Sequence, residues 1–252
     1  MVGRFTLRYT PGVHLDTPAI VCAVLPHGEH GAVVRFLTPD DGLIAGYVRG
    51  GRSRALRPVL QPGNGVQIAL RARVDSQLAA ATVELTAARA ALATSVAGLA
   101  ALTWLTGLTA TALGDGVPHP ALYRTLDAIV IAIAADAGAL ALGEAVVRYE
   151  HLLLADLGLG LDLTACAATG SRDDLIYVSP KSRQAVSRGA GLPYAGVMLP
   201  LPPLLIGGGV DAAGVVDGLR LTGHFLERDV LAGRGRDLLA ARERLATRLP
   251  PR

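Results

Sequence analysis

Cysteine, lysine and aromatic residues are all scarce in this chain, and each scarcity narrows what the protein can be. Two cysteines among 252 residues, Cys22 and Cys166, cannot build a disulfide framework, so a reducing cytosol is the expected compartment. No apolar stretch follows the N-terminus, which argues against a signal peptide. Residues 90–114 carry no charge and are long enough to span a bilayer, but five threonines and many alanines among them favour a buried helix of a soluble bundle.

Motifs for catalysis are also missing. The H-G-E-H run that begins at His27 lies in an expected hairpin turn, and it is not the helical H-E-x-x-H pattern that places two histidines on one face. Asp173 and Asp174 are adjacent, so their side chains point apart. The three glycines at 207–209 lack the lysine and Ser/Thr of a phosphate loop. The sequence therefore predicts a protein that is not an enzyme, with no catalytic residue.

Cys166 stands alone where a zinc site would need more ligands. A zinc knuckle requires a second cysteine at the position of Thr169, and the region about twenty residues further on offers only serines. One thiolate cannot hold a structural zinc ion in its usual four-coordinate site. Residues 159–205 are therefore either the shell of a zinc-binding insert held by packing alone or an ordinary linker with an incidental cysteine. We expect no metal and no other cofactor.

Positive charge is concentrated near the N-terminus. Residues 1–73 hold nine arginines against four acids, whereas the remaining residues hold 15 basic and 17 acidic side chains. Only Lys181 of the 24 basic residues is a lysine, so the position of the arginines is better evidence than their number. Residues 42–74 contain no acid and carry six arginines: Arg49, Arg52, Arg54, Arg57, Arg71 and Arg73.

Two interpretations of these arginines are open. Buried arginines must be paired, and the stretch supplies no carboxylate, so a row of guanidinium groups facing solvent is expected; such a row is typical of a polyanion-binding surface. Alternatively, the arginines pair with acids elsewhere in the fold. Under the first interpretation the six arginines contact phosphates, with Arg35 as a weaker candidate.

The order of secondary structure predicts an α+β chain. Five short strands within residues 17–88 suggest a small closed antiparallel barrel, of which the OB-fold is the commonest design. Helices are expected over residues 87–113, 118–138 and 139–157, then an irregular segment and a last helical pair. The expected divisions are a flexible lead-in (1–15), the barrel (16–86), a helical domain (87–158), the insert (159–205) and C-terminal helices (206–252) that pack on the helical domain.

Five segments follow one another along the chain: AIVCAVLPHGEHGAVVRFLTPDDGLIAGYVRGGRS, LRPVLQPGN, VRYEHLLLADLGLGLDLTACAATG, YVSPKS and GLRLTGHFLER. Taken in this order, they resemble the RecO family of bacterial recombination mediators. The resemblance implies an N-terminal OB-fold, a helical domain and a zinc-ribbon-like insert. It also implies a cytoplasmic, nucleoid-associated protein that binds single- and double-stranded DNA, anneals complementary strands, and works with RecR and SSB to load RecA onto gaps. Only Cys166 remains of the four-cysteine pattern, which puts zinc in doubt.

The resemblance also suggests a partner surface. SSB proteins end in an acidic, apolar tail, which a groove combining apolar side chains with arginine would suit; the candidates are Trp104, Tyr123, Arg124 and Arg148. Aromatic residues at helical spacing are more often simply core. Two other functions stay open: an RNA-binding or ribosome-associated OB-fold protein without a role in recombination, and a scaffold whose arginines pair with an acidic protein.

Overall fold

A computed structural model of the chain describes residues 14–71, 78–233 and 236–248, without the side chains of His14 and Arg236. The chain divides after Asp136 into two compact units, which are taken in turn below. Of the predicted lead-in, residues 1–13 lie outside the described residues, and Leu15 already belongs to the first strand. The domain limits predicted at residues 86, 158 and 205 remain predictions.

The first unit begins with a closed barrel of five strands. The strands are β1 (His14–His27), β2 (Gly31–Leu37), β3 (Leu43–Val48), β4 (Gly65–Arg71) and β5 (Ala80–Ala87). They are arranged around the barrel in the order β1-β2-β3-β5-β4, and β4 pairs with β1 to close it. The β3–β5 pair is parallel and the other pairs are antiparallel. This arrangement confirms the predicted α+β class with an N-terminal OB-like barrel.

Alternating hydrophobic residues explain why the barrel closes. In β2, Val34 and Phe36 point inward and are fully buried, while Val33 and Arg35, which alternate with them, are partly exposed. β1 is long enough to pair with β4 through its first half and with β2 through its second half. A register shift between Val21 and Ala23 lies in that second half. Such an irregularity bends a strand, as a small barrel requires.

Two helices complete the first unit: α1 (Val96–Ala112) and α2 (Pro120–Ala134). α1 starts nine residues later than predicted, because β5 continues to Ala87 and the Ser95 side chain caps the helix by accepting from the N–H of Gly98. α1 packs against β1 and α2. Of the helices that the structure describes, none has the length and apolar character needed to cross a bilayer.

The second unit is built around α3 (Ala139–Asp156) and α5 (Ala212–Phe225), which pack together. A π-helical turn (Leu226–Leu231) and α6 (Arg236–Ala246) follow. The carboxylate of Glu150 on α3 is fully buried and accepts two hydrogen bonds from Arg242 on α6, at 2.8 and 2.9 Å. The Thr222 hydroxyl on α5 also donates to Glu150, so this carboxylate joins three helices.

The part of the chain between α3 and α5 forms a small three-stranded sheet. Its strands are β6 (Leu175–Val178), β7 (Ala185–Ser187) and β8 (Leu199–Pro200), in the order β7-β6-β8, and a single helical turn, α4 (Arg188–Gly191), follows β7. Within the ranges that the structure covers, no three His, Cys, Asp or Glu side chains come together as a metal site. The comparison of this insert with a zinc ribbon remains a prediction.

Candidate nucleic-acid interface

The connection between β3 and β4, residues 49–64, is here named the arginine loop, and it has a defined internal structure. A series of turns is held by backbone hydrogen bonds from Ser53 to Gly50 (2.8 Å), from Arg57 to Ser53 (3.0 Å) and from Leu60 to Leu56 (2.9 Å). The apolar side chains of Leu56, Val59 and Leu60 pack against the barrel core. Because this side of the loop is fixed, the polar side chains between them are directed away from the core.

Asn64 fastens the end of the arginine loop. Its side chain is buried; the amide donates to the carbonyls of Pro58 (2.8 Å) and Val59 (3.1 Å), and its oxygen accepts from the N–H of Ala90 (3.0 Å). Its backbone N–H also pairs with Gln61. A single buried amide thus ties the loop to the segment that follows β5.

Arg52 fastens the other side of the loop to the turn between β1 and β2. Its guanidinium Nη1 donates to the carbonyl of Glu29 at 3.1 Å and lies 3.4 Å from that of Gly28. Its backbone N–H donates to the carbonyl of His30 at 3.2 Å. The Arg52 side chain remains exposed, so its other N–H groups stay available to a ligand.

Four other arginines of residues 42–74 have no acidic partner among the described residues. Arg49, Arg54 and Arg57 in the loop and Arg71 at the end of β4 are exposed, and none makes an ion pair or side-chain hydrogen bond with a residue in the described ranges. Arg73 lies outside the described residues. The arrangement matches the first interpretation of these arginines, a solvent-facing row without counter-charge.

An open groove of about 840 Å³ lies between β1 and the arginine loop. Its lining comprises Val24, Pro26, Gly51, Arg52, Arg54, Arg57, Pro58, Leu60, Gln61 and Pro62. The sequence pointed to the three arginines but not to the β1 residues opposite them. Val24 and Pro26 are two positions apart and so share a face of the strand, yet only the closure of the barrel brings that face against a loop some thirty residues further on.

Arg35 differs from the other predicted phosphate contacts. It lies on the outer face of β2 and forms an ion pair with Asp115, and it also donates to the carbonyl of Ala110. Ala110 lies at the end of α1, and Asp115 lies in the segment after it. Since the Arg35 charge is already compensated inside the fold, we leave Arg35 out of the interface.

The four residues predicted for a partner groove differ in exposure and belong to both units. Trp104 is fully buried, so its indole is part of the core of the first unit and does not line a surface. Tyr123 is half-buried, and burial raises the pKa of its phenol. Arg124 is exposed. Arg148 belongs to the second unit, on α3, where it donates to Glu144 at 2.8 Å.

The two cysteines have opposite chemistry. Cys22 is buried on β1, and burial raises the pKa of its thiol to about 12. Cys166 accepts hydrogen bonds from the hydroxyl (3.4 Å) and the backbone N–H (3.3 Å) of Ser187 at the end of β7. These donors stabilise the thiolate and lower the pKa of Cys166 to about 6.

A five-stranded OB-like barrel carrying an acid-free arginine loop places the chain among OB-fold proteins, a class in which many members bind nucleic acid. Comparison with known proteins gives the family: the model "Recombination protein O N terminal" matches residues 13–89 and "Recombination protein O C terminal" matches residues 94–236. The chain belongs to the RecO family, a family of DNA-binding recombination proteins and not of enzymes. The limit between the two family models lies close to the end of β5.

Relatives in other bacteria support the same assignment. The chain is 46% identical to DNA repair protein RecO of Sinorhizobium medicae over 231 residues, which cover 89% of this chain and 90% of that protein. It is 47% identical to DNA repair protein RecO of Rhizobium etli over 232 residues, covering 89% and 88%. For the protein of the same name in Phenylobacterium zucineum, identity is 43% over 244 residues, covering 94% and 98%.

Proposed function

We propose that the protein is a recombination mediator that binds single- and double-stranded DNA through the arginine loop and anneals complementary strands. The observation that carries the proposal is the exposure of Arg49, Arg54, Arg57 and Arg71 without a partner among the described residues. Arg52 joins them through the N–H groups that its contact with the β1–β2 turn leaves free. The mediator role itself is supported by membership of the RecO family.

Phosphate contacts account for most of the proposed affinity. Each guanidinium that neutralises a phosphate releases condensed counterions, so affinity falls as salt concentration rises. Aromatic side chains for base stacking are scarce, and Tyr47 is the only one in the basic stretch. Its ring lies over Gly31 and against the edge of His27, which fixes it in the barrel wall. Backbone contacts therefore outweigh aromatic stacking, and sequence preference is weak.

Annealing follows from the same surface without covalent chemistry. Two single strands repel each other because both backbones are negatively charged. A row of unpaired guanidinium groups lowers that repulsion while the strands lie side by side. The fixed turns of the arginine loop keep these groups in place, so the positive charge does not have to be assembled when the second strand arrives.

Partner proteins complete the proposed role. We propose that RecR and SSB act with this protein to let RecA load onto SSB-coated gaps at the nucleoid. An acidic, apolar SSB tail is expected to contact exposed arginines of the helices, with Arg124 beside Tyr123 as one candidate and Arg148 as another. If Arg124→Glu and Arg148→Glu both leave binding of an SSB tail peptide intact, these assignments are wrong.

The test of the proposed function is annealing of complementary oligonucleotides by a variant in which Arg52, Arg54 and Arg57 are all changed to Glu. We expect annealing to be lost while the thermal midpoint stays close to that of the wild type, because all three side chains are exposed and only Arg52 gives up side-chain hydrogen bonds, those to the β1–β2 turn. A control with the same change of charge carries Arg172→Glu, Arg220→Glu and Arg244→Glu, three exposed positions in the second unit. Normal annealing by the loop variant would show that the loop is not part of the mechanism. Equal affinity of the wild type for RNA and DNA, without annealing, would favour an RNA-binding role.

A further inference from the structure

Part of the groove beside the arginine loop is lined by apolar side chains. A surface that binds only phosphates does not need such a lining. Val24 and Pro26 of β1 form one wall, Leu60 is buried beneath, and Pro58 and Pro62 lie on the loop side. These five residues are here named the groove floor. The three arginines that line the groove belong to the loop, and Gln61 adds an uncharged amide. A site for backbone contacts alone would gain nothing from the floor.

The usual ligand surface of an OB-fold is not available in the same form here. In such barrels ligands bind over strands 2 and 3 and the neighbouring loops. The only charged residue of β2 and β3 is Arg35, and it is paired with Asp115. The segment after α1 also closes on the end of this face, since the N–H of Gly116 donates to the carbonyl of Leu43 at 2.9 Å.

Gly42 shows how closely this segment is packed. A Cβ at Gly42 would lie 1.8 Å from the carbonyl oxygen of Val117, so no larger residue fits there. The β2–β3 face therefore has its one cation neutralised and one end covered by the chain itself. Three of the exposed arginines, Arg52, Arg54 and Arg57, lie instead beside β1 and the groove floor.

Paired and unpaired nucleic acid differ in what they offer to such a groove. A duplex presents phosphates and groove edges, and its bases are stacked inside. A single strand can turn its bases outward, where apolar side chains contact the base faces. The open groove, with a volume of about 840 Å³, is large enough to admit a base.

We propose that the groove holds unpaired bases of a single strand against the groove floor while Arg52, Arg54 and Arg57 hold the flanking phosphates. This inference rests on the proposed function, because it assigns a binding mode to the same arginines. It makes the groove a single-strand site, whereas duplex DNA uses the arginines alone. Gln61 is placed to donate to or accept from a base edge, which any of the four bases can satisfy.

The experiment uses fluorescence anisotropy of the full-length protein with three probes of equal length: a normal single strand, an abasic strand with the same backbone, and a duplex. We expect the wild type to bind the normal strand about five- to tenfold more tightly than the abasic strand. A floor variant, Pro26→Ser with Pro62→Ser, should bind both strands alike at the abasic level and should bind duplex as the wild type does. The control variant, Pro118→Ser with Pro193→Ser, changes two exposed prolines outside the groove and should behave as the wild type.

The possible results distinguish failure of the base-binding groove from failure of the proposed function. If the wild type binds normal and abasic strands equally, the base-binding groove is wrong although the arginine loop remains the DNA site. If the Arg52, Arg54 and Arg57 charge-reversed variant binds all three probes normally, the proposed function fails as well. If an acidic apolar peptide displaces DNA from the wild type and the floor variant loses the peptide but not the normal strand, the groove belongs to a protein partner and the inference is overturned.

Discussion

Arg35 on the outer face of β2 is ion-paired with Asp115, which lies eighty positions later in the chain. Because of this ion pair, Arg35 differs from the arginines of the arginine loop, which have no such partner among the described residues. Arg35 stabilises the contact between the barrel and the end of α1, while the loop arginines leave their charge to solvent. Arginines of the first unit therefore have two roles, which the structure distinguishes: Arg35 stabilises the fold, whereas the loop arginines present their charge to solvent.

Replacing a single arginine with neutral glutamine should distinguish the stabilising role of Arg35 from the DNA-binding role of Arg54. Arg35→Gln is expected to lower the free energy of unfolding by about 1–2 kcal/mol, because a partly buried pair and a bond to the Ala110 carbonyl are lost. Its affinity for DNA should stay unchanged. Arg54→Gln should do the reverse, with stability unchanged and weaker DNA binding. Urea unfolding and anisotropy on both variants provide the test, and weaker DNA binding by Arg35→Gln alone would contradict the division.

Asn64 should govern the order of the arginine loop. Asn64→Ala removes two donated hydrogen bonds and one accepted bond at a buried site, and we expect a loss of about 1–3 kcal/mol. Hydrogen exchange should rise at the N–H groups of Arg57 and Leu60, which the turns of the loop protect. Asn64→Asp should be worse, since a carboxylate would face the carbonyls of Pro58 and Val59. Unchanged exchange in both variants would show that the loop is held by its apolar side alone.

The thiol of Cys166 should ionise well before that of Cys22. Hydrogen bonds from Ser187 lower the pKa of Cys166 to about 6, and burial raises that of Cys22 to about 12. Thiolate absorbance in the ultraviolet should therefore rise near pH 6 in the wild type and in Cys22→Ser, but not in Cys166→Ser. Because the pKa of Cys166 is lower in the folded chain than its ordinary value of 9.0, this group stabilises the fold most above pH 9, and the contribution is lost as pH falls to about 6.

The buried pair of Glu150 and Arg242 should be costly to break from one side. Arg242→Met leaves a fully buried carboxylate without its two guanidinium bonds, and we expect a loss of about 3–5 kcal/mol. The double variant Glu150→Leu with Arg242→Met removes the uncompensated charge, so much of the stability should return. The midpoint of thermal unfolding provides the comparison. Equal destabilisation of the single and double variants would show that packing, and not charge, dominates at this position.

Most of the fold could be predicted from local patterns. Alternation in β2 and β3, and the turn residues between strands, are sufficient to indicate five strands and a barrel. Composition places the start of α1 too early, because residues 87–95 are rich in alanine, which favours helix, whereas pairing of β5 and the Ser95 cap set the observed start. Tertiary contacts of this kind do not show in composition.

The candidate site was predictable in its charges and not in its shape. The absence of acids around Arg52, Arg54 and Arg57 is visible in the sequence and predicts their exposure. The pairing of Arg35 with a residue eighty positions away is not visible, and neither is the apposition of Pro26 to the loop. The sequence suggests Trp104 for a surface that suits an acidic, apolar tail, but aromatic residues at helical spacing are more often core, and Trp104 is in the core.

The central claim, that the loop arginines bind phosphates, is tested most directly by the salt dependence of single-strand affinity. Each lost phosphate contact should reduce the slope of log K against log salt concentration by about 0.7. The variant with Arg52, Arg54 and Arg57 all changed to Gln should therefore show a slope smaller than that of the wild type by about 2. A variant slope equal to that of the wild type would contradict the account, because the three arginines would then make no contact with the DNA backbone.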